Sequence, residues 1–67
     1  MGMEKFKETF LAVIDWGWSG EYANHLRGVA NDGKRLVKLR NAVKLTAYRN
    51  RISEYDALIC LIRNAKV

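Results

Sequence analysis

Apolar residues recur along this chain every three or four positions, which is the spacing of a helix that buries one face. They do so in four successive segments separated by short polar or glycine-containing stretches. In the first segment the apolar positions are Phe6, Phe10, Val13 and Ile14. The pattern predicts four short helices, at about residues 4–16, 20–31, 34–50 and 53–65.

Each of the other three segments supplies an apolar stripe of its own. In the second segment the stripe is Tyr22, Leu26, Val29 and Ala30. In the third it is Leu36, Leu39, Val43 and Ala47, which we call the inner stripe. In the fourth it is Tyr55, Leu58, Ile59 and Ile62. Four helices with short connections predict an all-α fold, built as a compact bundle or an orthogonal array.

Polar residues and glycines mark the ends of the predicted helices. Ser19 and Ser53 are suited to cap the second and fourth helices, because a serine oxygen can accept from a free N–H of the first turn. Gly33 follows Asn31 and Asp32 and is predicted to close the second helix in a left-handed turn. No proline interrupts any segment, so helical structure can continue through each of them.

The length of the chain limits its core. Its 67 residues fit one small helical domain spanning residues 1–67. A domain of this size buries only about 60% of the surface of its unfolded chain, so its core is marginal. Association of two copies would add buried area. The sequence therefore leaves a homodimer open.

Basic side chains are concentrated in residues 33–53, which we call the basic segment. It contains no acidic residue and seven basic ones, namely Lys34, Arg35, Lys38, Arg40, Lys44, Arg49 and Arg51. Residues 1–32 carry three basic and five acidic side chains, a net charge of −2, and residues 54–67 are neutral overall. The formal charge of +5 thus belongs to one element, as expected when one face meets phosphates or an acidic protein.

A second apolar set lies on the side of the third helix opposite to the inner stripe. We call it the outer strip, and it consists of Val37, Leu45, Tyr48 and Ile52. A helix with one buried face does not need this set. Either another helix or a second copy of the chain covers it, or it is open to a partner that favours apolar contact framed by positive charge.

The sequence contains few candidate catalytic residues. His25 is the only histidine and Cys60 the only cysteine, and no spacing joins either to a nucleophile–base–acid arrangement. Common zinc sites need three or four such ligands. Residues 28–34 spell the start of a phosphate-binding loop, but Arg35 stands where a hydroxyl is needed and a helix precedes it instead of a strand. We therefore predict no enzyme, no metal, no cofactor and no small-molecule substrate.

Cysteine usage and hydropathy bear on the location of the protein. A single cysteine excludes an internal disulfide and favours a reducing, intracellular setting. The apolar run at residues 10–14 is too short for a signal peptide, and no segment approaches the roughly 20 apolar residues that span a bilayer. We expect a cytoplasmic protein.

Two tryptophans, Trp16 and Trp18, flank Gly17. One or both would close the end of a small core, because an indole ring supplies a large apolar area. Alternatively Trp18 is exposed beside the basic segment, where it would stack on a base or anchor a protein interface. Cys60, among aliphatic residues of the fourth segment, is interpreted as a small apolar filler.

The leading functional hypothesis is nucleic-acid binding, to DNA or RNA, in a regulatory or accessory role. The order of a second helix, a tight turn and a third helix, at about residues 22–43, resembles a helix-turn-helix. All seven basic residues of the basic segment are candidate contacts, and Val37, Tyr48, Ile52 and Trp18 are candidate interface or stacking residues. Because basic residues border both sides of the outer strip, contact that does not depend on base sequence, or contact with RNA, fits better than reading of one duplex.

The alternative hypothesis is a small phage- or mobile-element-type inhibitor or adaptor. Such a protein would bind an acidic or nucleic-acid-binding surface of a larger host complex, with the outer strip as its anchor. Attachment of the same helix to an anionic membrane surface is a third option, although a stable bundle would have to release that face.

Overall fold

The computed structural model describes residues 2–67 and is helical almost throughout. Its helices are α1 (Met3–Gly17), α2 (Gly20–Ala30), α3 (Gly33–Asn50) and α4 (Glu54–Arg63). No strand occurs within residues 2–67. The prediction of an all-α fold with four short helices is confirmed, and each helix begins and ends within two residues of the predicted position.

One hydrophobic core joins the four helices. Helix α3 packs against α1, α2 and α4, and α1 also packs against α2. The largest side chains that are completely enclosed are Phe10, Ile14, Leu26, Leu58, Ile62 and Val43. All four predicted core residues of α1 and all four residues of the inner stripe are buried. The core therefore fixes which side of α3 faces outward.

Of the predicted core residues of α2 and α4, Tyr55 is wrong, whereas Tyr22 and Ile59 pack against the edge of the core. Tyr22 and Ile59 are half-buried, and Tyr55 is exposed, while the alanines Ala23 and Ala57 are completely buried. The hydroxyl of Tyr22 donates a hydrogen bond to the backbone carbonyl of Ile62 (2.7 Å). Tyrosines stay at the boundary because a buried phenol needs a hydrogen-bond partner.

The connection between α2 and α3 differs from the prediction. Gly33 does not have a positive φ, and it begins α3 instead of closing α2. Asp32 caps α3: its side chain accepts from the backbone N–H groups of Lys34 and Arg35. An aspartate at an N-cap satisfies free N–H groups and also favours the positive end of the helix dipole.

Of the two serines predicted to cap helices, one forms the capping hydrogen bond and the other does not. Ser53 caps α4, and its Oγ accepts from the backbone N–H of Asp56 (3.0 Å). Ser19 stands at the N-cap of α2 but makes no side-chain cap hydrogen bond. The glycine that has a positive φ is Gly20, directly after Ser19.

Helix α3 ends in a left-handed residue that is not a glycine. Arg51 has φ 53° and ψ 46°, and its backbone N–H donates to the carbonyl of Ala47. The N–H of Ile52 donates to the same carbonyl (3.1 Å). This arrangement satisfies a carbonyl at the C-terminus of the helix and turns the chain towards α4.

Within residues 2–67 no helix is both long enough and apolar enough to cross a membrane.

Candidate functional site

The outer strip is exposed to solvent, with Val37, Leu45 and Tyr48 on α3. Its fourth member, Ile52, was predicted on the same helix face but follows the left-handed turn at Arg51, beyond the end of α3. Tyr48 is 84% exposed, Leu45 49%, Val37 44% and Ile52 38%. Within residues 2–67 no other helix covers these side chains, whereas the inner stripe is buried in the core that α3 shares with the other helices. The interpretation that another helix of the same chain covers the outer strip is therefore wrong, and a second copy or a different partner remains.

Six of the seven basic residues of the basic segment are exposed. Besides Arg35, which pairs with Asp32, they are Lys34, Lys38, Lys44, Arg49 and Arg51. Within residues 2–67 none of these five forms an ion pair. An ion pair that does form, between Arg27 and Asp15 (3.4 Å), joins α2 to α1 away from the basic segment. The five cations therefore present their charge to solvent.

Arg35 and Arg40 are placed differently from the other five. The Nε of Arg35 donates to Oδ2 of Asp32 (3.1 Å), so part of its charge is balanced. Arg40 is half-buried, at the border between the inner stripe and the outer side. The structure thus does not bring all seven predicted site residues to one surface.

The contacts of Asp32 also change its titration. The backbone N–H of Arg35 (3.4 Å), the guanidinium of Arg35 and the backbone N–H of Lys34 (3.1 Å) all donate to the carboxylate. These bonds stabilise the charged form and outweigh the opposing desolvation, so they lower the pKa of Asp32. The same carboxylate holds the side chain of Arg35 against the start of α3.

The exposed cations border the outer strip on two sides. Lys38 and Arg49 follow one border of α3, and Lys44 lies on the other. Lys44 and Arg49 are five residues apart, which places them about 140° apart around a helix. Asn41, which is also exposed, lies between the borders. A partner that touched every cation would have to bend around the helix.

The C-terminal end of α3 forms an open depression, which we call the tyrosine–arginine depression. It is lined by Ala47, Tyr48, Arg49 and Arg51 and has a volume of about 590 Å³. Within residues 2–67 the side chain of Tyr48 makes no hydrogen bond and no ring contact. Arg51 follows the last helical residue with a left-handed backbone, and it lines the depression together with Arg49.

The prediction that Trp18 is exposed beside the basic segment is wrong. Trp18 is half-buried and packs against the core, as the other interpretation of the tryptophans allowed. Trp16 is the exposed indole, at 83%, and it lines a groove between α1 and α4 together with Tyr55. The exposure of Trp16 could have been predicted from the sequence, because this residue lies outside the apolar stripe of α1.

The remaining chemistry-bearing residues do not assemble into a reactive site. His25 is exposed, and its Nε2 lies 3.1 Å from the backbone oxygen of Val67. Cys60 is also exposed instead of filling the core, which corrects its interpretation as an apolar filler. Among residues 2–67 no three histidine, cysteine or acidic side chains lie close enough together to hold a metal ion.

Comparison with protein-family models, with curated proteins and with solved structures finds no match to this chain.

Proposed function

We propose that this protein is a small, non-enzymatic nucleic-acid-binding protein that contacts the phosphate backbone through α3. The observation that carries the proposal is the set of five exposed cations in the basic segment that form no ion pair within residues 2–67. Phosphate contacts by lysine and arginine supply most of the affinity of non-specific complexes, because they release counterions. The role is accessory or regulatory.

The dimensions of α3 suit a backbone contact. Its 18 residues give a length of about 27 Å, and cations lie at its start, middle and end. Lys34 and Lys38 are one turn apart near the N-terminus, and Arg49 lies in the last turn. Several consecutive phosphates can therefore be met along one helix, with Asn41 supplying a polar contact between the cationic borders.

Binding of this type should depend little on base sequence. The order of α2, a two-residue turn and α3 resembles a helix-turn-helix, but the exposed apolar side chains of the outer strip occupy positions where base-reading groups are needed. Phosphate contacts fix the register of a complex and carry no base information. We expect similar affinities for oligonucleotides of different sequence and equal length.

The test is the affinity of the wild-type protein and of the double variant Lys38→Glu/Arg49→Glu for a labelled oligonucleotide. The wild-type affinity should fall steeply as salt is raised, since each phosphate contact contributes about 0.7–0.9 to the slope of log K against log salt. The double variant should bind undetectably, because it replaces two contacts with repulsion. Fluorescence anisotropy at several salt concentrations measures both effects.

The matched control is Lys5→Glu/Arg63→Glu, which makes the same change in net charge at exposed positions on α1 and α4. This control should retain binding within a few-fold, because long-range charge contributes less than direct contact in salt. Equal loss in both double variants would mean that only net charge matters. Absence of wild-type binding at low salt would overturn the proposal.

A second candidate function is supported by the exposure of the outer strip. Apolar side chains framed by cations suit an acidic protein surface, and an inhibitor or adaptor of a larger complex would use Tyr48 as its anchor. This function predicts a defined protein complex that survives nuclease treatment and is lost in the Val37→Ser/Tyr48→Ser variant. Loss of the complex on nuclease treatment would favour nucleic acid instead.

A further inference from the structure

The tyrosine–arginine depression combines the two groups that bind an unpaired nucleotide. An aromatic face stacks on a base, and basic side chains hold the phosphates on either side of it. Here the ring is Tyr48, and the guanidinium groups belong to Arg49 and Arg51, with the buried Ala47 as the floor.

Tyr48 is available for stacking. It is 84% exposed, and within residues 2–67 neither the ring nor the hydroxyl has a partner. Tyr55, by comparison, is about half-exposed and lines two grooves of the core surface. A large ring held in water without a protein contact gains stability when a flat apolar partner covers it.

The two arginines are also free to bind phosphate. Neither Arg49 nor Arg51 forms an ion pair within residues 2–67. The negative end of the α3 dipole alone would repel an anion, and two guanidinium groups reverse the sign of the local charge. Phosphates are therefore expected beside the arginines, and the uncharged base is expected over the ring.

A duplex cannot use this depression well. The faces of its bases are covered by their neighbours, and its stiffness over a few turns prevents it from following cations that lie about 140° apart on α3. A single strand exposes base faces and bends freely. We propose that the site on α3 is specific for single-stranded nucleic acid, with one base stacked on Tyr48 between phosphates held by Arg49 and Arg51; this inference rests on the nucleic-acid binding proposed above.

The experiment compares an oligothymidylate with a duplex of the same length at the same salt concentration. Wild-type protein should bind the single strand more tightly. Tyr48→Leu keeps an apolar side chain without an aromatic face, and it should weaken single-strand binding at least about fivefold while leaving duplex binding unchanged. Tyr48→Phe, which keeps the ring, should bind as the wild type does.

A fluorescent base supplies a direct readout of stacking. A single strand that contains 2-aminopurine should lose fluorescence on binding wild-type protein or Tyr48→Phe, because stacking quenches this base. Saturation with Tyr48→Leu should leave the fluorescence close to that of the free strand. A purely structural role of Tyr48 would not produce this difference.

The contribution of Arg51 can be tested without damage to the fold. Arg51→Gly removes the guanidinium and places the residue that best tolerates φ 53° at this position. It should reduce the salt slope by about 0.7 and weaken single-strand binding. Ala65→Gly is the matched control, because Ala65 also has a positive φ (54°) but carries no charge, and its binding should be unchanged.

The outcomes separate this inference from the proposed function. Equal affinity for both oligonucleotides, or a Tyr48→Leu variant that behaves as the wild type, would overturn the single-strand site and leave phosphate-backbone binding intact. Absence of binding to either oligonucleotide would overturn both.

Discussion

A single residue, Asp32, connects the start of α3 to the charge of its surface. It caps the helix through the N–H groups of Lys34 and Arg35 and also holds the side chain of Arg35. Arg35 therefore contributes less to the exposed positive charge than the sequence indicates. Counting basic residues could not reveal this, because the pairing depends on which residue caps the helix.

Asp32 should make stability depend on pH in the acid range. Its pKa is lower in the folded protein than usual, chiefly because of the backbone hydrogen bond from Arg35. The stabilisation is therefore fully present above the ordinary aspartate pKa of about 3.9 and is lost as pH falls through the folded value. Asp32→Asn keeps a capping oxygen without this charge.

Melting temperatures of the wild type and Asp32→Asn, followed by circular dichroism, measure this effect. We expect the wild type to melt higher at neutral pH, and the difference to shrink below about pH 4. A difference that stays constant down to about pH 2 would show that the carboxylate charge contributes nothing.

At the scale of the element, α3 has two apolar faces with different roles. The inner stripe was predicted correctly, because spacing of three and four residues identifies a buried face and all four of its residues are enclosed. Whether the outer strip is covered or exposed could not be predicted. The same residue spacing occurs on a helix face that a neighbour covers and on a face that is open to water. Only the packing of the other helices distinguishes the two.

The two faces of α3 should respond differently to substitution. Leu39→Ala on the inner stripe should cost about 2–5 kcal/mol in the free energy of unfolding, because it leaves a cavity. Leu45→Gln on the outer strip should change it by no more than about 0.5 kcal/mol. Urea denaturation measures both.

The oligomeric state serves as the control for this comparison. Sedimentation of the wild type and of Leu45→Gln at several concentrations shows whether the outer strip joins two copies. A wild-type dimer that becomes a monomer in Leu45→Gln, together with a clear loss of stability, would mean that the outer strip is packing between copies.

At the scale of the whole molecule, the charge distribution opposes folding slightly. The net charge is +5, and five cations of one segment have no ion pair within residues 2–67. Lys34 and Lys38 are four residues apart on the same helix face, where like charges repel. The charge asymmetry was visible in the sequence, but its exposure was not.

This repulsion should appear in the salt dependence of stability. Raising sodium chloride should raise the melting temperature, since salt screens repulsion between exposed charges. Lys38→Gln should melt higher than the wild type at low salt and show a weaker salt dependence. Thermal melts across a salt series test this, and a melting temperature that falls with salt would indicate that attractive pairs dominate instead.

The left-handed arginine at the end of α3 has a consequence for engineering the protein. Glycine is the residue that relieves this backbone most easily, so a selection for heat resistance alone would favour its replacement at Arg51. The thermostable variants obtained in this way would lack one guanidinium group of the tyrosine–arginine depression. Any thermostable variant of this chain should therefore be assayed for oligonucleotide affinity before it replaces the parent.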